Sequence, residues 1–120
     1  MENSQRKTKF HDDLKKLMDE LVFLVYRTTK TFPKDEIYGV TSQIRRSSLS
    51  VILNYIEGFA RQTKPTLKNF LEISYGSLKE TRYLIYFSFK QGYLNKDDYE
   101  RGIFLSDEIG KMLWGILRRL

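Results

Sequence analysis

Residues 43–61, QIRRSSLSVILNYIEGFAR, set Arg45, Arg46, Asn54 and Glu57 into a run otherwise dominated by Leu, Ile, Val, Tyr and Phe. On a helical wheel at about 100° per residue, Gln43, Arg46, Ser50, Asn54, Glu57 and Arg61 fall within about 80° of one another, a polar stripe at spacings of three and four. Such a stripe has two uses. It can present a polar, cationic surface to a partner. It can also be a hydrogen-bonded ladder that fixes helix or subunit register, because buried polar groups must be paired. The ladder is the favoured reading. Glu57 and Arg61 form an i,i+4 pair of the stabilising orientation, contributing about 0.2–0.5 kcal/mol if exposed.

A second constellation follows Pro65. Lys68, Tyr75, Lys79, Arg82, Tyr83, Tyr86 and Lys90 share one side of the next periodic segment, away from its apolar face. Cations at that spacing hold phosphates while tyrosine rings stack on unpaired bases. Glu72 shares the face and works against an anionic ligand. The alternative is a solvated flank whose tyrosines are half-buried at a subunit contact.

Little else in the chain can do chemistry. The single His11, near the start of the first helical segment and off its apolar face, reads as a solvated surface histidine. With one His and no Cys, neither a zinc site nor thiolate or disulfide chemistry is expected. Asp12-Asp13 and Asp97-Asp98 sit near helix starts, where negative charge complements the helix dipole better than it serves paired acid–base catalysis. The seven glycines form no phosphate-cradling pattern. No catalytic residue, metal or cofactor is expected.

The charge balance points the same way. Lys and Arg exceed Asp and Glu by 21 − 15 = 6, and the calculated pI is near 9.5. That excess favours polyanionic partners: RNA, a nucleoprotein or an acidic protein surface. At 120 residues, 30% charged and 41% apolar, the composition is that of one globular domain. The polar N-terminus lacks the apolar core of a signal peptide, and no run approaches the roughly 18 apolar residues of a membrane span. A cytoplasmic protein with no membrane partner is expected.

Four helices must position these groups. Phe10, Leu14, Leu17, Leu21, Leu24, Val25 and Thr28 mark the inner face of the first. The second runs from about Gly39 to Arg61. The third carries Leu67, Leu71, Ser74, Leu78, Thr81, Ile85 and Phe89. Asn95 caps the fourth, with Asp98 at N3, and its inner face runs from Tyr99 to Leu120. Matched lengths and short connections imply an all-α, antiparallel up-down-up-down four-helix bundle, a single domain over residues 1–120 with residues 1–9 as a flexible basic tail.

The second helix is apolar over more than half its circumference, whereas a lone bundle needs an arc of roughly 100° or somewhat more. Arg45, Leu49, Leu53 and Ile56 lie in this excess and are assigned to an oligomer interface. The stem of Arg45 should pack in the contact while its head reaches water or a neighbour's carboxylate. Val22, Phe23 and Tyr26 on the first helix, and Tyr83 and Phe87 on the third, extend the outward apolar surface.

FPKDEIYGVTSQIRRSSLSVILNYIEGFAR (32–61) and FLEISYGSLKETRYLIYFSFKQGYL (70–94) resemble the bacterial four-helix-bundle family of 23S rRNA intervening-sequence proteins. The resemblance covers most of residues 10–120. It is densest at FP-x-x-E-x-Y-G, S-Q-I-R-R, N-x-x-E-G and G-Y-L. The accessory variability protein of diversity-generating retroelements belongs to the same wider group. The resemblance implies a small cytoplasmic bundle that closes into a homopentamer. Ile52 stands where the family often has Pro, and Tyr55-Ile56 where Ile-Ala is usual, implying a straighter and bulkier second helix here. The combined expectation is a non-catalytic, oligomeric bundle binding RNA or a nucleoprotein with low sequence specificity. The alternative is a protein-interaction scaffold or accessory subunit, for example of a reverse transcriptase.

Overall fold

Pro33 and Pro65 fall where helices begin rather than inside them. The computed structural model describes residues 2–120, with α1 at Glu2–Thr29, α2 at Val40–Phe59, α3 at Lys64–Lys90 and α4 at Lys96–Leu117. A single 3-10 turn, Lys34–Glu36, lies between α1 and α2. Among the described residues there is no strand.

Each boundary has a local cause. Thr63 caps α3 through its Oγ1, which accepts from the Thr66 N–H, and Pro65 occupies the first turn, where its missing N–H costs nothing. Gly92, at φ +82°, ends α3: its N–H reaches the Phe89 carbonyl and the Tyr93 N–H reaches that of Ser88, which satisfies two orphan carbonyls. Asn95 caps α4 as expected, its Oδ1 accepting from the Asp98 N–H at 2.8 Å.

Contacts across the bundle run in opposite senses along neighbouring helices. Arg45 meets Thr29 and His11 meets Tyr55 across α1 and α2. Tyr75 meets Trp114, Arg82 meets Asp107 and Phe89 meets Tyr99 across α3 and α4. The helices therefore alternate up and down, and α1 returns to pack on α4. The molecule measures 49 × 25 × 20 Å. Leu14, Met18, Leu21, Ile44, Val51, Leu71, Leu78, Leu105, Ile109 and Leu113 are almost wholly buried along its axis.

The N-terminal stretch is helical from Glu2, and residues 3–9 continue α1 as exposed helix with no Gly or Pro to stop it. Thr8 Oγ1 donates to the Ser4 carbonyl at 2.9 Å, and Lys9 pairs with Asp13 at 3.2 Å. Met1, the remaining residue of that stretch, lies outside the described residues.

The α2–α3 contact is built from small side chains. Ser74 Oγ donates to the Val51 carbonyl at 2.6 Å, Thr81 Oγ1 to Ser47 Oγ at 2.8 Å, and Ser50 and Ser77 share a hydrogen bond of 2.7 Å. Gly58 continues the line: a Cβ there would stand 3.1 Å from the Phe70 Cβ. This is the closest helix pair in the bundle because nothing large keeps the two backbones apart.

Candidate functional site

The polar stripe of α2 divides in two. Ser50 and Asn54 are half-buried against α3, where Asn54 Nδ2 donates to both the Ser50 carbonyl at 2.8 Å and Ser50 Oγ at 2.9 Å. Together with Ser77 they make a hydrogen-bonded step within one chain. Glu57 and Arg61 form an ion pair, and the Arg61 guanidinium lies 5.1 Å from the Phe70 ring. Gln43 and Arg46 are exposed. The ladder thus occupies the middle of the stripe, and its N-terminal end faces outward.

The α3 face lies along the boundary with α4. Tyr75 is half-buried, with its ring 6.2 Å from that of Trp114, and Lys79 Nζ sits 5.1 Å from the Tyr75 ring. Tyr75, Trp114, Lys68, Glu72 and Arg118 line a groove of about 410 Å³. Among the described residues no carboxylate pairs with Lys68, Lys79 or Arg118. Lys90 is exposed in the last turn of α3, and Tyr83 and Tyr86 are exposed with rings 6.2 Å apart.

Arg82 differs from the other cations of this face. Its Nε donates to Asp107 Oδ1 at 2.8 Å and its Nη2 to Oδ2 at 3.4 Å. The hydrogen bond from Arg82, with the guanidinium's charge, holds the Asp107 carboxyl below its ordinary range. Arg82 is therefore largely committed to α4 and less available to a phosphate than its neighbours. Trp114 and Arg118 were not singled out from the sequence. Their i,i+4 spacing on the flank of the α4 core face was the legible signal, but which helix flanks that side depends on the assembled bundle.

On the outer side of α2, Leu53 and Ile56 are 56% and 51% exposed, and Leu49 is half-buried. The head of Arg45 already has partners within its own chain. Its Nε donates to Thr29 Oγ1 at 2.8 Å and its guanidinium lies 4.9 Å from the Tyr26 ring, so its own chain engages it. Val22 is likewise buried within the chain rather than outward, because it falls on the α2 side of α1. Phe23, at 70% exposed, remains outside.

His11 also departs from expectation. It is half-buried, with Nδ1 hydrogen-bonded to the Tyr55 hydroxyl and its ring edge-on to Phe59 at 4.8 Å. Desolvation, then the Lys15 charge, lowers the imidazole pKa from 6.5, while burial holds the Tyr55 hydroxyl protonated far above its usual range. Asp12 acts in the opposite sense on His11. The unfolded chain therefore takes up this proton first. Stability should be complete above pH 6.5 and fall as pH drops through the lower folded value. Urea titrations between about pH 7 and 5 should show this loss, and His11→Gln should flatten it. An unchanged profile in the variant would exclude His11 as its source.

Among the described residues no group of three or more acidic or histidine side chains is arranged to hold a metal. Among the same residues no helix is long and apolar enough to cross a membrane.

A family model described as "23S rRNA-intervening sequence protein" matches residues 12–115. No curated protein matches. A crystal structure of a protein of unknown function from the S23 ribosomal protein family of Bacteroides thetaiotaomicron superposes with a TM-score of 0.76, at 24% identity. The match covers 91% of this chain and 98% of that one. At that identity the likeness speaks to the fold.

Proposed function

The chain belongs to the 23S rRNA-intervening sequence protein family, and from that premise we propose that it is a non-catalytic, basic, oligomeric bundle that binds RNA, or RNA within a nucleoprotein, with low sequence specificity. The observation that carries this reading is the α3–α4 groove. Two aromatic rings, Tyr75 and Trp114, stand among Lys68, Lys79 and Arg118, the arrangement by which single-stranded nucleic acid is held through stacking and phosphate charge. Tyr86 and Lys90 continue the track along α3, and Glu72, together with Asp107 beside Arg82, opposes it.

Single-stranded RNA affinity, measured against salt, tests the reading. Each phosphate contact adds about 0.7 to the slope of log K against log salt, so the Lys68→Ala, Lys79→Ala, Arg118→Ala triple variant should lose about two units of slope. At 0.1 M salt that corresponds to an affinity about two decades weaker. A triple variant with the parent's affinity and slope would remove the groove from the site.

Self-association belongs to the same proposal. Leu49, Leu53 and Ile56 support it, and the family resemblance implies five copies. A second reading, a scaffold or accessory subunit for another protein such as a reverse transcriptase, draws on the loop before α2. There the Tyr93 hydroxyl donates to Glu36 at 2.9 Å and Phe32 packs on Tyr93, while Ile37 and Tyr38 are 54% and 94% exposed. Salt-insensitive capture of a protein partner, with no RNA binding, would favour that reading.

A further inference from the structure

The α3–α4 groove holds one group that binding phosphate does not use. Glu72 lines it beside Lys68, Tyr75, Trp114 and Arg118. It is exposed, and among the described residues it makes no ion pair or hydrogen bond. Lys68 stands one turn earlier, the less favourable order for a helical ion pair, and does not close on it. Charge alone would keep such a residue out of a phosphate site. Gly76, one turn further on, lines the same groove. A Cβ there would meet nothing within 4 Å, so no packing within the chain calls for glycine. Glycine inside a helix is less stable than alanine, and what its missing side chain leaves is room beside Glu72 for close approach to the backbone. Trp114, 56% exposed, offers the adjoining ring face.

We propose that Glu72 reads guanine: the base stacks on Trp114 over Gly76, and its Watson–Crick edge meets the carboxylate. This rests on the RNA-binding reading of the groove. A carboxylate only accepts hydrogen bonds. Among the RNA bases, only guanine carries adjacent donors on that edge, N1–H and N2–H, one for each carboxylate oxygen. Adenine and cytosine set a single exocyclic N–H donor beside a ring nitrogen acceptor, whose lone pair repels the second oxygen. Uracil sets its one donor between carbonyls. Unpaired bases are read on this edge while stacked on aromatic rings, and hydrogen bonds to a charged acceptor are roughly twice as strong as neutral ones. Lys68, Lys79 and Arg118 then hold the flanking phosphates. Glu72 weakens the track for phosphate and adds one base preference to a surface otherwise indifferent to sequence.

The test is fluorescence anisotropy of the full chain with short oligouridylates carrying one central guanosine, inosine, adenosine or cytidine, or none. The guanosine oligomer should bind at least about fivefold more tightly than the adenosine, cytidine and all-uridine ones, the lower end of what a bidentate base contact discriminates. Inosine, which lacks the N2 amine, should lose most of that advantage. Glu72→Gln should remove the guanosine preference and raise affinity for the all-uridine oligomer, because the amide nitrogen donates where guanine has no acceptor and a negative charge leaves the track. Gly76→Leu should abolish the preference by filling the space beside Glu72, while the salt slope set by the phosphate contacts stays that of the parent. Equal binding of all the oligomers would overturn guanine reading and leave RNA binding standing. Preference for adenosine or cytidine, inosine equal to guanosine, or a guanosine preference that survives in Glu72→Gln would overturn it too. Binding of none would remove the RNA reading of the groove and this proposal with it. The comparison among oligomers on the parent protein decides it even if a variant fails to fold.

Discussion

Leu78→Ala should destabilise the bundle by about 2–5 kcal/mol, the range for emptying a buried leucine site, and lower the melting temperature by roughly 10–20 °C. Leu78 is 1% exposed, and its Cδ2 lies 3.5 Å from where a Cβ on Gly110 would stand. The leucine of α3 is therefore a knob over a glycine hole in α4. Gly110→Ala alone should stabilise: 3.5 Å is ordinary van der Waals contact, and exchanging a mid-helix glycine for alanine contributes about 1 kcal/mol. Combined, the two changes should recover more than that increment, because the new methyl fills part of the space Leu78 vacates. Thermal and urea unfolding of the four proteins at one fixed concentration gives the cycle. Strict additivity would show that the two positions do not share the cavity.

Leu53→Glu should reduce the proposed assembly to particles near 14 kDa while helix content stays that of the parent. Leu53 and Ile56 are half or more exposed in the isolated chain, whereas Ile44, Val51 and Tyr55 on the opposite side hold α2 to its own core. A glutamate at position 53 meets water in the monomer and apolar surface in the assembly. Its cost therefore falls on association. Each fully buried aliphatic side chain contributes about 1.5–3 kcal/mol, so losing Leu53 and desolvating a carboxylate together outweigh what one neighbour contact supplies. Light scattering coupled to size-exclusion chromatography, with circular dichroism alongside, makes the measurement. A parent that already elutes as a monomer at high concentration would end the interface argument. A variant that unfolds would place Leu53 in the bundle's own core.

The helices, their order and the Asn95 cap were legible because each rests on residues within a turn or two of one another. The outward direction of Leu53 and Ile56 was legible for the same reason, since one helix wheel fixes it. What escaped required knowing which helix lies beside which, and at what register. His11 pairs with Tyr55 at a separation of 44 residues, and nothing local distinguishes it from a surface histidine. Arg45 reads as a misplaced cation on its own helix until Thr29 and Tyr26 of α1 appear beneath it. The α3 cations were grouped by angle alone, which could not separate Arg82, hydrogen-bonded to Asp107, from Lys79, whose charge reaches Asp107 only through space. The serines and threonines of the α2–α3 contact carry little weight in an apolar-periodicity reading, although their smallness is what lets the helices approach.

That polar seam also bears on the order of assembly. Its hydroxyl contacts close over 27 residues at Ser50–Ser77 and 34 at Ser47–Thr81, whereas Arg27–Asp98 and Glu20–Arg101 join α1 to α4 over 71 and 81. The longer closures cost about 1 kcal/mol more in chain entropy, so the hairpins of neighbouring helices, α2–α3 among them, should form before α1 meets α4. During synthesis α1 emerges well before α4, yet it completes its packing only once α4 has followed. Until then its apolar face has α2 alone for cover, which makes the unfinished chain, rather than the native one, the form most exposed to wrong partners.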